Sequence, residues 1–148
     1  MKTSDFSTTI LVDKSPEEVF HAINNVGGWW SGDIEGRSTK LNDEFTYRYK
    51  DIHFSKQRVV EMIPDQKVVW LITDSNLNFT KDAHEWIGTK ISFEITEKDG
   101  KTELRFSHIG LNPDIECFDA CSNAWSSIVH QSLSSLITTG EGQKLVLA

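Results

Sequence analysis

Cysteine is nearly absent: 148 residues hold only Cys117 and Cys121. Their spacing sets them on neighbouring turns of one helix. A structural zinc site takes about four ligands, and no second pair exists. The two are therefore expected to be reduced thiols at or near the core. No HxH or HExxH spacing occurs, so no metal site is expected. There is no GxSxG elbow and no glycine-rich phosphate loop, which removes the local signatures of a serine hydrolase and of a nucleotide site. A Ser-His-Asp set could only assemble across the sequence. Positive charge is also scarce. Fifteen Lys and Arg face 22 Asp and Glu, a net charge of −7, and no basic run appears. A nucleic-acid partner would want a basic face. No apolar run approaches the length of a membrane span, and residues 1–6 lack the basic region and apolar core of a signal peptide. The expected setting is cytoplasmic, with no membrane insertion. No repeat, linker or second domain is visible. One domain over 1–148 is expected, with a flexible stretch at 140–148.

Apolar and aromatic residues are plentiful: 38% of the chain is hydrophobic, with five Trp and eight Phe. That suits a folded core and excludes a disordered chain. The longest feature is a helix expected over about 114–139. Phe118, Cys121, Trp125, Ile128 and Leu136 recur on it at helical spacing, beside a small hydroxylated face. Such a stripe needs a large apolar surface to lie against, and the upstream chain reads as the sheet that supplies it.

Phe6 to Val12 is β-branched and aromatic, a first strand. Ser15-Pro16-Glu17-Glu18 then carries a capping box with proline in the first turn, the start of a short helix. Val26-Gly27-Gly28-Trp29-Trp30 reads as a second small helix or turn. Its two rings either plug the end of the core or, for one of them, line a pocket mouth. Strands follow: a short polar one from Asp33, then Glu44 to Lys50 with Phe45, Tyr47 and Tyr49 on one face. Phe54 to Ile63 stops at the turn pair Pro64-Asp65. Lys67 to Thr73 is apolar and central, followed by a loop over Asp74 to Asp82. Strands at His84 to Thr96 and Thr102 to Ile109 are joined by an Asp99-Gly100 hairpin turn. Glu61 and Glu94 would face inward only where a strand bulges.

In this order the segments resemble the START-like superfamily, also called SRPBCC or helix-grip proteins. Within it they are similar to the small single-domain form of the heat-shock-protein-90 ATPase activator-homologue family. The likeness rests on Ser15-Pro16-Glu17-Glu18-Val19-Phe20, on Trp29-Trp30, and on Val59, Glu61, Met62 and Pro64 followed by Val68-Val69-Trp70. It also rests on His108-Ile109-Gly110-Leu111 and on Trp125, Leu133, Leu136 and Gly140. Ala124 stands where the family often has glycine. The resemblance implies an α+β helix-grip fold: a curved antiparallel sheet of about six to seven strands around a long C-terminal helix, with two short helices after the first strand. Function is poorly implied, because such folds host carriers, cyclases, hydrolases and co-chaperone modules. Chaperone activation is not carried over, since the second, chaperone-binding domain of the eukaryotic co-chaperones has no room here.

A sheet closing on one helix can leave a cavity. It would be lined by Tyr47, Trp70, His108, Trp125 and Val129, with Trp29, Trp30, Phe45, Phe93 and Phe106 around it. The expected occupant is a small hydrophobic or aromatic molecule, without a cofactor. Alternation places His108 on the inner face beside Leu104 and Phe106. There it either caps the core, through a backbone carbonyl or a helix hydroxyl such as Ser122, or serves a ligand as donor or general base. An enzyme using His108 in the same pocket is the alternative. A second alternative is an interaction or stress-related protein that acts through its surface, as a homodimer using the apolar residues near the C-terminus.

Overall fold

The computed structural model describes residues 5–30, 32–50, 53–77, 84, 86–112 and 118–142. All seven strands join one antiparallel sheet: β1 (Phe6–Val12), β2 (Asp33–Gly36), β3 (Glu44–Tyr49), β4 (His53–Ile63), β5 (Lys67–Leu77), β6 (Lys90–Lys98) and β7 (Lys101–Ile109). Their lateral order is β1-β7-β6-β5-β4-β3-β2, so β5 is central and β1 and β2 are the edges. Between β1 and β2 lie α1 (Pro16–Asn24) and a single 3-10 turn, Val26–Gly28. A continuous helix, α2, covers 118–139. Cys117 and the expected first residues of α2 lie outside the described residues.

Local chemistry sets several boundaries. The Glu18 amide donates to Ser15 Oγ at 3.2 Å, and the Glu18 carboxylate accepts from the Ser15 amide, the reciprocal cap that starts α1. At the β6–β7 hairpin, Asp99 and Gly100 take φ of 52° and 81°, a turn suited to the strand twist. Alternation on β7 puts Leu104, Phe106 and His108 wholly inside.

Three strand expectations need correction. β5 runs on to Leu77 instead of giving way to a loop at Asp74. Its pairing with β4 slips at Thr73, because Gln57 faces Ile72 while Lys56 faces Asp74. The extra residue flips the alternation, so Asp74 and Asn76 point out while Ser75 and Leu77 point in. β6 begins at Lys90, not His84. Trp86–Gly88 forms a turn, and Gly88 N–H and Thr89 C=O bond Ile72 on the neighbouring strand. A second slip on β4, between Val59 and Glu61, turns Met62 and not Glu61 toward the core. Glu61 pairs with Lys67 at 3.6 Å, and Glu94 is exposed.

α2 is not uniform. Ile128–Leu133 is π-helical, between α-helical Phe118–Ser127 and Ser134–Thr139. The wider turn buries Ile128, Val129, Ser132 and Leu133 together. Ser132 Oγ thereby reaches the Trp29 carbonyl at 2.6 Å, and the Trp29 indole N–H donates to the Ile23 carbonyl at 3.2 Å.

Candidate functional site

The ten residues expected to line a cavity all lie on the inner face of the sheet or on the elements covering it, and all are buried. Nine join in a continuous network of ring contacts. Trp30 stacks on Tyr47 at 3.8 Å and 10° and meets Trp125 at 5.1 Å. Trp29 and Trp30 each stack with Trp70 at just over 6 Å. Phe45 and Phe93 approach Trp70 edge-on, both at 4.9 Å. Phe106 bridges Phe93 and Trp125. Val129, fully buried, lies one turn beyond Trp125. Around Trp29, Phe45, Trp70 and Phe93 the interior is therefore filled by ring against ring.

The other end of the interior is polar. The Trp125 indole N–H donates to His108 Nδ1 at 3.1 Å. That bond requires a bare Nδ1, so the ring proton sits on Nε2 and is donated to Thr89 Oγ1 at 2.8 Å. The Thr89 hydroxyl passes its own proton to the Trp86 carbonyl at 2.6 Å. Every member has the partner its chemistry demands. The expected partner Ser122 is not among them: the indole of Trp125 and the hydroxyl of Thr89 fill the places assigned to a helix hydroxyl or a carbonyl. Burial, with His53 adding, pushes the His108 pKa down to about 3.

Sequence reasoning missed Trp86, which sits in the turn before β6 and is 2% exposed. Its ring lies edge-on between two imidazoles, 4.5 Å from His53 and 4.7 Å from His108. Also missed was a polar row on the inner face of β4 and β5. Ser55, Gln57 and Ser75 are fully buried there. Burial lowers the His53 pKa to about 3, and burial, with Tyr49 adding, raises that of the Tyr47 phenol.

Several of these groups lack a hydrogen-bonding partner. His53 Nε2, Gln57 Oε1, Trp70 Nε1 and, on α2, Ser122 Oγ are shut away from solvent with nothing to bond. Gln57 spends its other amide atom on Ser55 Oγ, so exchanging oxygen and nitrogen would still leave one of them bare. His53 and Gln57 point in from β4, and Trp70 stands diagonally across the sheet from Gln57. A buried polar group without a partner typically costs about 1–3 kcal/mol, and His53 and Trp70 carry theirs among aromatic rings.

None of the described buried residues is a Lys, Arg, Asp or Glu, and the titratable side chains shut inside are His53, His108, Tyr47 and Cys121. Among the described residues, no group of three His, Cys, Asp or Glu side chains is placed to hold a metal, and no helix is long and apolar enough to cross a membrane. One open surface groove, about 510 Å³, runs between α1 and the end of α2, outside the aromatic interior.

A seven-stranded antiparallel sheet gripping one long helix, with its candidate site between the two, defines a START-like helix-grip protein. The chain belongs to the family of Activator of Hsp90 ATPase homolog 1-like proteins, whose model matches residues 13–138. Solved structures share the fold. The Aha1 dimer from Colwellia psychrerythraea is 23% identical with a TM-score of 0.76, over 94% of this chain and 99% of that one. Protein SSP2350 from Staphylococcus saprophyticus is 17% identical with a TM-score of 0.69, over 97% and 98%. Protein MLL2253 from Mesorhizobium loti is 14% identical with a TM-score of 0.68, over 88% and 95%. No curated protein matches the chain by sequence.

Proposed function

We propose that this chain is a binding module for a small, uncharged aromatic molecule carrying a hydroxyl or amide. The ligand sits at the polar end of the interior, between β3–β5 and α2. The observation that carries this is the pair of buried, unpartnered atoms His53 Nε2 and Gln57 Oε1 on the inner face of β4, with the rings of Tyr47 and Trp86 against His53. A ligand hydroxyl can both donate and accept, so it satisfies Gln57 or His53 in either state. Rings already filling the apolar end leave the polar end as the place for it. Charge is disfavoured because the described residues include no buried counter-ion and both imidazoles are held neutral. Binding is favoured over acid–base catalysis by His108, since its only basic nitrogen is occupied by the Trp125 indole.

The test is a thermal-shift screen of neutral phenols and aromatic amides against size-matched carboxylates, with native mass spectrometry of freshly purified protein. Neutral compounds should raise the melting temperature and give a mass adduct, while carboxylates should do neither. A flat response across the neutral set, with no co-purifying mass, sinks the proposal.

We also infer that the chain self-associates. The Colwellia protein, matched over nearly its whole length, is described as a dimer.

A further inference from the structure

Building on that self-association, we infer that the contact is β1 pairing antiparallel with β1 of a second copy across a two-fold axis, joining two seven-stranded sheets into one. The two edges of the sheet differ. β2 has four residues, two of them Asp33 and Glu35, and ends at Gly36 with a φ of +106°. Shortness, charge and a turned backbone are the features that keep an edge from accepting another strand. β1 has none of them. It has seven residues, Phe-Ser-Thr-Thr-Ile-Leu-Val, and is the only strand here without a charged side chain. It pairs with β7 in unbroken register from Phe6 to Val12, with no bulge. No strand among the described residues pairs with its other side.

Burial points the same way. Ser7, Thr9 and Leu11 are exposed, Leu11 at 54%. The inner side is braced by α2, where His130 Nε2 and Thr8 Oγ1 are hydrogen-bonded at 2.6 Å. α2 thus braces the inner face of the strand, whose outer edge is unpaired among the described residues.

A second copy fits better than an unrelated strand for two reasons. Antiparallel pairing of a strand with itself closes after two copies, because the contact uses the same β1 edge of both. The chain also carries a net charge of −7, and β1 brings no charged side chain of its own to such a contact. The register that pairs Phe6 with Val12 would set Asp5 of each copy opposite Asp13 of the other, so the expected register is shifted by two residues from it, which separates those carboxylates.

The test uses the full chain in sedimentation over a concentration series, with hydrogen exchange of the 6–12 amides. Wild type should form a concentration-dependent dimer in which edge amides gain protection. The double variant Thr9→Lys/Leu11→Lys should be monomeric and should melt within a few degrees of wild type. A folded double variant that still dimerises overturns the β1 assignment and leaves self-association standing. Loss of the dimer on deleting 143–148, with the double variant unaffected, also overturns it. Wild type that stays monomeric at every concentration overturns self-association and this surface together.

Discussion

The indole N–H of Trp125 is bonded to His108 Nδ1 at 3.1 Å, tying the middle of α2 to the end of β7. One bond therefore fixes a tautomer, a ring orientation and the seat of the helix on the sheet. Trp125→Phe keeps most of the ring but leaves His108 Nδ1 buried and unpartnered, for an expected loss of about 1–3 kcal/mol. Trp125→Ala also removes contacts with Trp30, Trp86 and Phe106, raising the loss to about 3–5 kcal/mol. Against a total of roughly 5–15 kcal/mol, the second variant should be largely unfolded at modest urea. Urea midpoints in the order wild type, Phe, Ala check this. An Ala variant melting like wild type would show that Trp125 is not part of the core.

Two neutral imidazoles inside the fold make it sensitive to acid. His53 and His108 both have pKa values lowered from 6.5 to about 3. Between those values the unfolded chain binds protons that the folded chain refuses. Stability is then full above pH 6.5 and falls as pH drops toward 3, by about 1.4 kcal/mol per pH unit for each histidine. Denaturation at pH 7, 6, 5 and 4 should show the decline, and His53→Phe should make it shallower. A stability flat from pH 6.5 to 4 would mean that these rings are hydrated.

Much of this architecture was legible in the sequence because it rests on short-range rules. Ser15 and Glu18 cap α1, Asp99-Gly100 makes the hairpin, and alternation on β7 turns His108 inward. What was not legible depends on partners far along the chain. The slip at Thr73 hides Ser75 and Leu77 behind an apparently polar loop, since only pairing with β4 decides which side they face. Trp86 looked like part of a strand because nothing local announces that Gly88 and Thr89 bond Ile72. The aromatic half of the candidate site could be read from composition and period. Its polar half could not: on a strand, a buried Gln57 and an exposed one look alike.

The end of α2 offers a steric prediction. Gly140 closes the helix at a φ of +87°, and the chain then passes so near the 3-10 turn that a Cβ on Gly142 would lie 2.0 Å from the Gly28 carbonyl oxygen. Gly142→Ala should therefore force the turn and the chain end apart, at about 1–3 kcal/mol. A Cβ on Gly27 meets nothing within 4 Å, and Gly27→Ala should be neutral or gain about 0.4–1 kcal/mol. Equal melting temperatures for the two variants would mean that the chain end does not pack against Gly28 in solution.

The polar half of the site can be separated from stability. Gln57 is fully buried, with one amide atom bonded to Ser55 and the other bare. A bare buried group works against folding, so replacing both members of this hydrogen-bonded pair by apolar side chains need not destabilise the protein. The double variant Gln57→Leu/Ser55→Ala should melt at or above the wild-type temperature while losing most of the shift produced by neutral phenols or amides. Ser55→Ala, which removes the Gln57 partner and keeps the amide, should lower the melting temperature and retain part of that shift. The two variants thus move stability and binding in opposite directions, an outcome that a purely structural row of polar residues would not give. A double variant that unfolds early and still answers the ligand screen in full would remove Gln57 from the site.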